Sequence, residues 1–217
     1  MAEKFGIIYQ RLHAFFGNQR WWPADTDFEV MVGAILTQNT NWLNVEKAIA
    51  NLKEHKLLEP RALYRLPDKR LALLIRPAGY YNIKAGRLKN FLEFFISRYG
   101  ASIKKMSKTD TDSLRRELLS VKGIGPETAD SMLLYALDKP VFVVDAYTKR
   151  ILTRHRIINE AADYDNIQNL FMKNLKIGVK LFNEYHALLV RLGKDFCLKN
   201  KPKCDICPLG SLEGIKL

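Results

Sequence analysis

A glycine- and proline-containing turn between two apolar helical patterns constrains this chain more than any other segment. The turn reads Gly123-Ile-Gly125-Pro126. Glycine lacks the Cβ that would hold the backbone away from a ligand, and proline suits the first position of a helix because it has no N–H to leave unpaired. The segment predicts two helices joined by a tight hairpin at about 113–137, and the start of the second helix is suited to a phosphate. Apolar residues at helical spacing flank the turn: Leu114, Leu118, Leu119, Ala129, Met132 and Leu133.

The composition favours a polyanionic partner. The 217 residues carry a net charge of +12, and the isoelectric point is about 9.6. A solvated basic surface is the alternative explanation of the same charge. No run of 18 apolar residues and no signal-peptide pattern is present, so we expect a cytoplasmic protein without a membrane span.

Apolar residues recur with helical period over most of the chain, which predicts an all-α fold. The clearest example is Asp27–Leu36, for which Thr26 and Glu29 form a candidate capping box. Further helical patterns follow from Trp42, Leu88 and Leu181 onward. The one strand candidate, Val141 to Val144, is too short to begin a sheet and is interpreted as a buried connector.

Three motifs together resemble one family. The segment from Gly123 to Ala129, followed by Val143-Val-Asp145, resembles the helix–hairpin–helix, Gly/Pro-rich loop and aspartate of the endonuclease III-type DNA glycosylase superfamily. Gly33 to Thr40 is similar to the family segment that ends in a glutamine entering the duplex, and the cysteine spacing resembles its iron–sulfur loop. The resemblance implies two helical domains with a DNA-binding cleft between them. These would be a helical barrel with the hairpin at 27–138, and a second domain made of 1–26 and 139–217 that carries the cysteine loop.

Removal of a base from a duplex requires the nucleotide to be extruded, and so needs a backbone clamp and a plug for the hole. Gln38 is the plug by resemblance; taken alone it would be a surface glutamine at the end of a helix. For Glu127, the alternative to a DNA contact is a solvated acid in the first turn of its helix, where the helix dipole favours negative charge. The residues predicted to contact the DNA backbone are Lys122, Gly123, Gly125, Glu127 and Thr128.

Asp145 is the candidate catalytic group. Cleavage of an N-glycosidic bond builds positive charge on the sugar, which a fixed carboxylate stabilises while it activates water. The alternative is an N-cap for the helix that begins near Ala146, and the two roles are compatible because a capped carboxylate stays ionised.

In strand-cutting relatives a lysine stands at the position of Glu127, and a carboxylate cannot form their imine intermediate. The sequence therefore predicts a glycosylase without lyase activity.

Three tryptophans form a candidate base pocket. Trp21, Trp22 and Trp42, with Pro23, offer aromatic faces on which an extruded base can stack. A cationic alkylated purine would add a cation–π attraction. Core packing is the alternative for Trp42. This combination resembles the 3-methyladenine glycosylase branch of the superfamily.

Three cysteines follow the spacing of the family's iron–sulfur loop. Cys197, Cys204 and Cys207 match the first three ligands of a [4Fe-4S] cluster, whereas Glu213 stands where the fourth cysteine is expected. The possibilities are a cluster with an unusual fourth ligand, a zinc ion, or no metal, and we expect a cluster.

We therefore predict a base-excision-repair N-glycosylase that acts on double-stranded DNA as a monomer within the nucleoid, with 3-methyladenine as the expected lesion. One alternative is a glycosylase, with or without lyase activity, for oxidised or mismatched pyrimidines. The other is a non-catalytic module that binds damaged DNA. A binding module would not need Asp145 beside an aromatic pocket.

Overall fold

The computed structural model describes residues 2–19, 21–210 and 212, and over these residues it is helical without a strand. The all-α prediction is confirmed. The predicted buried connector lies outside any helix or strand and consists of Val141, Phe142, Val143 and Val144. No helix in the described ranges is both long and apolar enough to span a membrane.

The chain divides into two compact units. We call residues 1–23 with 140–217 the split unit and residues 24–139 the continuous unit. The division falls after 23 and 139, against the predicted 26 and 138. The helices of the split unit are α1 (Ala2–Phe16), α10 (Ala146–Arg154), α11 (Tyr164–Asn174) and α12 (Val179–Asp195). Those of the continuous unit are α2 (Asp27–Leu36), α3 (Trp42–Glu54), α4 (Pro60–Arg65), α5 (Asp68–Leu74), α6 (Tyr81–Tyr99), α7 (Ile103–Ser107), α8 (Thr111–Ser120) and α9 (Pro126–Ala136).

Helix α2 lies at the centre of the continuous unit, because nine of its ten residues are buried and it packs on α3, α6 and α9. The hydroxyl of Thr26 accepts the N–H of Glu29 at 3.1 Å, as the capping pattern predicts. The carboxylate of Glu29 accepts the N–H of Asp25 and pairs with Lys53 at 2.7 Å. The start of α2 is thereby bonded to α3.

Helices α8 and α9 form the predicted hairpin. Ile124, in the turn between them, is buried, so this side chain anchors the turn in the core. Asp130 on α9 is fully buried and pairs with Arg115 on α8, whose Nε lies 2.8 Å from its Oδ1. Removal of one partner from a buried pair of this kind typically costs about 3–5 kcal/mol. The ion pair therefore fixes the two helices against each other.

Aromatic side chains join the two sequence segments of the split unit. The rings of Phe142 and Phe171 stack with centroids 3.7 Å apart, and Phe5 of α1 meets Phe171 edge-on. The hydroxyl of Tyr185 on α12 donates to the Phe5 carbonyl at 2.9 Å. Helix α1 is thus a part of the core made by the C-terminal segment.

Candidate active site and nucleic-acid interface

The hairpin turn requires one of its two glycines for conformational reasons. Gly123 has φ = +97°, and a Cβ there would stand 2.4 Å from Cγ of Arg87. Gly125 has an ordinary φ of −97° with open space around it. It is the N-cap of α9 and supplies no side-chain cap, and Pro126 follows at the first helical position. The start of α9 therefore presents main-chain N–H groups and the positive end of the dipole without a carboxylate from its own cap residue.

Gln38 lies against this hairpin. Its Nε2 donates to the carbonyl of Gly123 at 3.1 Å and to the hydroxyl of Thr128 at 2.8 Å, and its Oε1 accepts from the guanidinium of Arg87. The predicted plug and the predicted clamp therefore meet in one network. Thr128 is buried with its hydroxyl engaged by Gln38, so a phosphate contact from this residue would come from its main-chain N–H. Lys122 and Glu127 are exposed on the same hairpin.

Lys84 fixes the loop that follows α2. The residue is 1 % exposed, and its ammonium donates to the carbonyls of Leu36 and Ala78, at 2.8 and 2.7 Å, and to the hydroxyl of Thr40 at 2.9 Å. Burial, together with the smaller effect of the nearby charge of Arg87, lowers the pKa of Lys84 to about 8. Three acceptors compensate an ammonium that has been taken out of water.

In the split unit Asp145 caps α10, as the alternative interpretation predicted. Its Oδ1 accepts the N–H of Thr148 at 2.7 Å, and its Oδ2 lies 3.6 Å from Nε2 of His186 on α12. Only 11 % of the Asp145 side chain is exposed. Burial by itself would raise the pKa of Asp145, but His186 and Thr148 stabilise the carboxylate more strongly, and the pKa lies below its ordinary value. The group is an ionised, buried carboxylate, which is what stabilisation of a cationic sugar requires.

The tryptophans belong to different units. Trp21 and Trp22 lie in the split unit with ring centroids 5.7 Å apart, and Pro23 is exposed beside them. Lys194 Nζ stands 5.5 Å from the centroid of the Trp21 ring, in the range of a cation–π contact. Trp42 in the continuous unit is half-buried, and its indole N–H donates to Glu46 at 2.6 Å. Trp42 is therefore more exposed than the core residues of α3, and core packing alone does not explain a tryptophan at this position.

Comparison with known proteins decides the family. Residues 32–176, more than half of the chain, match the model of the HhH-GPD superfamily of base excision DNA repair proteins. A Methanocaldococcus jannaschii protein with the provisional name DNA repair glycosylase is 54 % identical over 204 residues, which cover 93 % of this chain and 92 % of that protein. The chain belongs to the HhH-GPD superfamily of base excision DNA repair proteins. Its activity class is that of a DNA repair glycosylase.

Two solved structures are similar to this chain. The H. pylori 3-methyladenine DNA glycosylase bound to 1,N6-ethenoadenine is 31 % identical, with a TM-score of 0.77, and the match covers 88 % of this chain and 97 % of that one. A non-covalent endonuclease III–DNA complex has a TM-score of 0.85 at 22 % identity, covering 99 % and 96 % of the two chains. The second comparison shows the shared fold.

The cysteine loop of this HhH-GPD chain is bound by arginines of α10. Arg150 donates to the carbonyl of Cys197 at 2.8 Å, and Arg154 donates to its sulfur at 3.3 Å and to the carbonyl of Leu198 at 2.6 Å. Burial raises the pKa of the Cys207 thiol, with smaller contributions from the other two cysteines. Within 2–19, 21–210 and 212, no three His, Cys, Asp or Glu side chains are grouped as metal ligands. Glu213, at the fourth position, lies outside the described residues.

Sequence reasoning missed three side chains, two at the hairpin network and one beside Asp145. Arg87 and Lys84 contact the glutamine and its loop, and His186 contacts the candidate catalytic carboxylate. A weak signal existed for His186, because it interrupts the apolar pattern of α12 beside Tyr185 and Leu188. For Arg87 and Lys84, in a chain with many cationic residues, the sequence pattern offers no signal that separates them from solvated cations.

Proposed function

We propose that this protein is a monofunctional DNA N-glycosylase that hydrolyses alkylated purines such as 3-methyladenine from double-stranded DNA. The observation that carries the proposal is the buried, ionised carboxylate of Asp145, held by Thr148 and His186. Family membership supplies the reaction class, and a structural helix cap alone would not need a carboxylate kept charged in a buried place.

The chemistry follows from the charge of the carboxylate. As the C1′–N bond of a cationic alkylated nucleotide breaks, the electron pair leaves with the base, which departs neutral, and the sugar becomes cationic. Asp145 stabilises that cation and orients the attacking water. The water oxygen bonds to C1′ and a proton is released, which leaves an abasic site. A cationic purine is already a good leaving group, so no additional acid is needed.

Glu127 supports a reaction that stops at the abasic site. It stands in the first turn of α9, where strand-cutting relatives are expected to carry a lysine nucleophile. A carboxylate cannot form a Schiff base with the sugar. The proposed enzyme therefore uses water, and it leaves the DNA strand intact.

The substrate class rests on aromatic surface and on similarity to one relative. Trp21 already receives a cation on its face, from Lys194, which is the interaction a cationic base would use. The similarity to the H. pylori 3-methyladenine glycosylase points in the same direction. The residues proposed to stack on the extruded base are Trp21, Trp22, Pro23 and Trp42, and the proposed protein–DNA complex contains one copy of the chain.

No step of this mechanism passes through the cysteines. The expectation of a [4Fe-4S] cluster on Cys197, Cys204 and Cys207 stays a prediction, and iron, sulfide and zinc analysis of anaerobically purified protein measures it. Iron with sulfide and a brown colour would support the cluster. Zinc alone, or no metal, would leave the arginine contacts as the support of the loop.

A panel of duplexes tests the proposal. Each duplex carries one lesion, either 3-methyladenine, 1,N6-ethenoadenine, an oxidised pyrimidine or a mismatched thymine, and is assayed for base release and strand scission with and without alkali. We expect release of the alkylated purines, scission only after alkali, and no covalent complex on borohydride treatment. Preferential release of the pyrimidines, or a trapped complex, would replace this proposal by the corresponding alternative.

A further inference from the structure

The side chain of Gln38 is bound at both of its polar ends. Its amide nitrogen uses both hydrogens, toward the Gly123 carbonyl and the Thr128 hydroxyl, and its amide oxygen accepts from Arg87. A side chain held in this way is docked on the hairpin. Insertion into a duplex would require all three of these hydrogen bonds to break.

The main chain around Gln38 is anchored separately. Lys84 donates to the main-chain carbonyl of Leu36 before it and to the side-chain hydroxyl of Thr40 after it. The Thr37 N–H also donates to Gly33 at 2.8 Å, which continues the helical pattern past the end of α2. Because residues on both sides of Gln38 are bonded to Lys84 in the continuous unit, undocking is expected to be a rotation of the Gln38 side chain and not a movement of the loop.

Arg87 lies where a phosphate at the hairpin would meet it. Its side-chain stem passes against Gly123, at the point that a Cβ would fill, and its guanidinium reaches Gln38 beside the start of α9. A guanidinium bonds an anionic phosphate about twice as strongly as it bonds a neutral amide oxygen. Arg87 also stands close enough to Lys84 to lower its pKa, so an arriving anion would relieve a repulsion between two cations.

We propose that Arg87 is a latch, which holds Gln38 on the hairpin in the DNA-free protein and releases it when a backbone phosphate takes the guanidinium. Arg87 is thus a positioning residue that acts through Gln38. This inference rests on the DNA contacts of the proposed function. It adds an order of events, in which the backbone is gripped first and the plug is freed second.

Stopped-flow fluorescence tests the latch without any base excision. The probe is a duplex that contains a stable abasic analogue next to 2-aminopurine, whose fluorescence rises when a side chain enters the stack. At saturating protein, Arg87→Met, which keeps the stem against Gly123, should accelerate the rise about tenfold, as expected for one lost charge-assisted hydrogen bond. In a Gln38→Ala background the same substitution should change the rate by less than about twofold.

Two further variants guard the interpretation. Arg70→Met removes an exposed guanidinium from α5 of the same unit and should leave the rate unchanged. Arg87→Lys keeps the charge and should give a rate between those of wild type and Arg87→Met. If circular dichroism shows that Arg87→Met is poorly folded, Arg87→Lys takes its place in the test. Arg87→Met should also reduce the slope of log Kd against log salt by about 1, because one phosphate contact is lost.

Three results would overturn the latch. These are an unchanged or slower rise in Arg87→Met, an equal acceleration in the Gln38→Ala background, and a Gln38→Ala variant that produces the full wild-type signal. None of them bears on the glycosylase proposal, which depends on Asp145 and on base release. Conversely, failure to excise any lesion would leave this fluorescence assay valid.

Discussion

Helices α9 and α10 begin in opposite ways. The N-cap of α9 is Gly125, which has no side chain to offer, whereas the N-cap of α10 is Asp145, whose carboxylate accepts the N–H of Thr148 at 2.7 Å. Both helix starts carry the same partial positive charge. The first is suited to an anion from outside the protein, and the second holds an anion of its own. The same physical feature therefore serves recognition in one unit and, we propose, chemistry in the other.

The comparison extends to ordinary caps. Asp163 caps α11 by the same bond, to Asn166 at 2.8 Å, but it is exposed. Asp145 differs from it by burial and by the imidazole of His186 at 3.6 Å. A cap is therefore explained by local sequence, whereas the environment of Asp145 needs a reason beyond capping.

The largest effect among variants of the recognition side is expected for Gly123→Ala. A positive φ and a Cβ at 2.4 Å from Arg87 should lower the free energy of unfolding by roughly 1–3 kcal/mol. The deformed turn should also weaken duplex binding by about tenfold or more. Thermal unfolding and fluorescence anisotropy measure the two effects.

Gly125→Ala is the matched control, since its φ is ordinary and nothing lies within 4 Å of the added Cβ. It should unfold like wild type. If both alanine variants have wild-type stability, the conformational account of the turn is wrong.

On the chemical side, His186→Leu should move the acid limb of the pH–rate profile to higher pH. In the wild type, the pKa of Asp145 lies below its ordinary value despite burial, because His186 and Thr148 stabilise the carboxylate. Such a carboxylate contributes to the free energy of unfolding at pH values above its unfolded pKa, and this contribution is lost as the pH falls through the folded pKa. Without the imidazole, burial is opposed by Thr148 alone, so Asp145 should be protonated at higher pH.

Single-turnover excision between pH 4 and 8 measures this shift, and we expect His186→Leu to be less active than wild type at the acid end of that range. His13→Leu, on exposed α1 surface, is the control and should keep the wild-type profile. Superimposable profiles for wild type and His186→Leu would remove His186 from the account.

The smallest effect is expected for Glu127→Gln. This acid lies in the first turn of α9, next to the proposed phosphate position. Its removal should strengthen duplex binding two- to fivefold, in keeping with about 0.3–1 kcal/mol for a charge at a helix start. Asp112→Asn makes the same charge change in the first turn of α8 and should have less effect. Equal gains from both variants would mean that only net charge matters.

The sequence predicted the local features well and the long-range contacts poorly. The bounds of α2, the hairpin of α8 and α9 and the cap at Asp145 depend on periodicity and turn chemistry within a few residues. The docking of Gln38 depends on Arg87 and Gly123, 49 and 85 residues away along the chain. His186 reaches Asp145 only because α10 packs on α12. Such contacts are set by tertiary packing, which no local pattern encodes.

The central claim is that the carboxylate of Asp145 is chemical as well as structural, and the pair Asp145→Asn and Asp163→Asn tests it most directly. Asparagine is as good an N-cap as aspartate, so both variants should fold. We predict that Asp145→Asn binds a 3-methyladenine duplex nearly as tightly as wild type but excises the base about 10² to 10³ times more slowly, while Asp163→Asn keeps full activity. Wild-type excision by Asp145→Asn would show that Asp145 is only a helix cap.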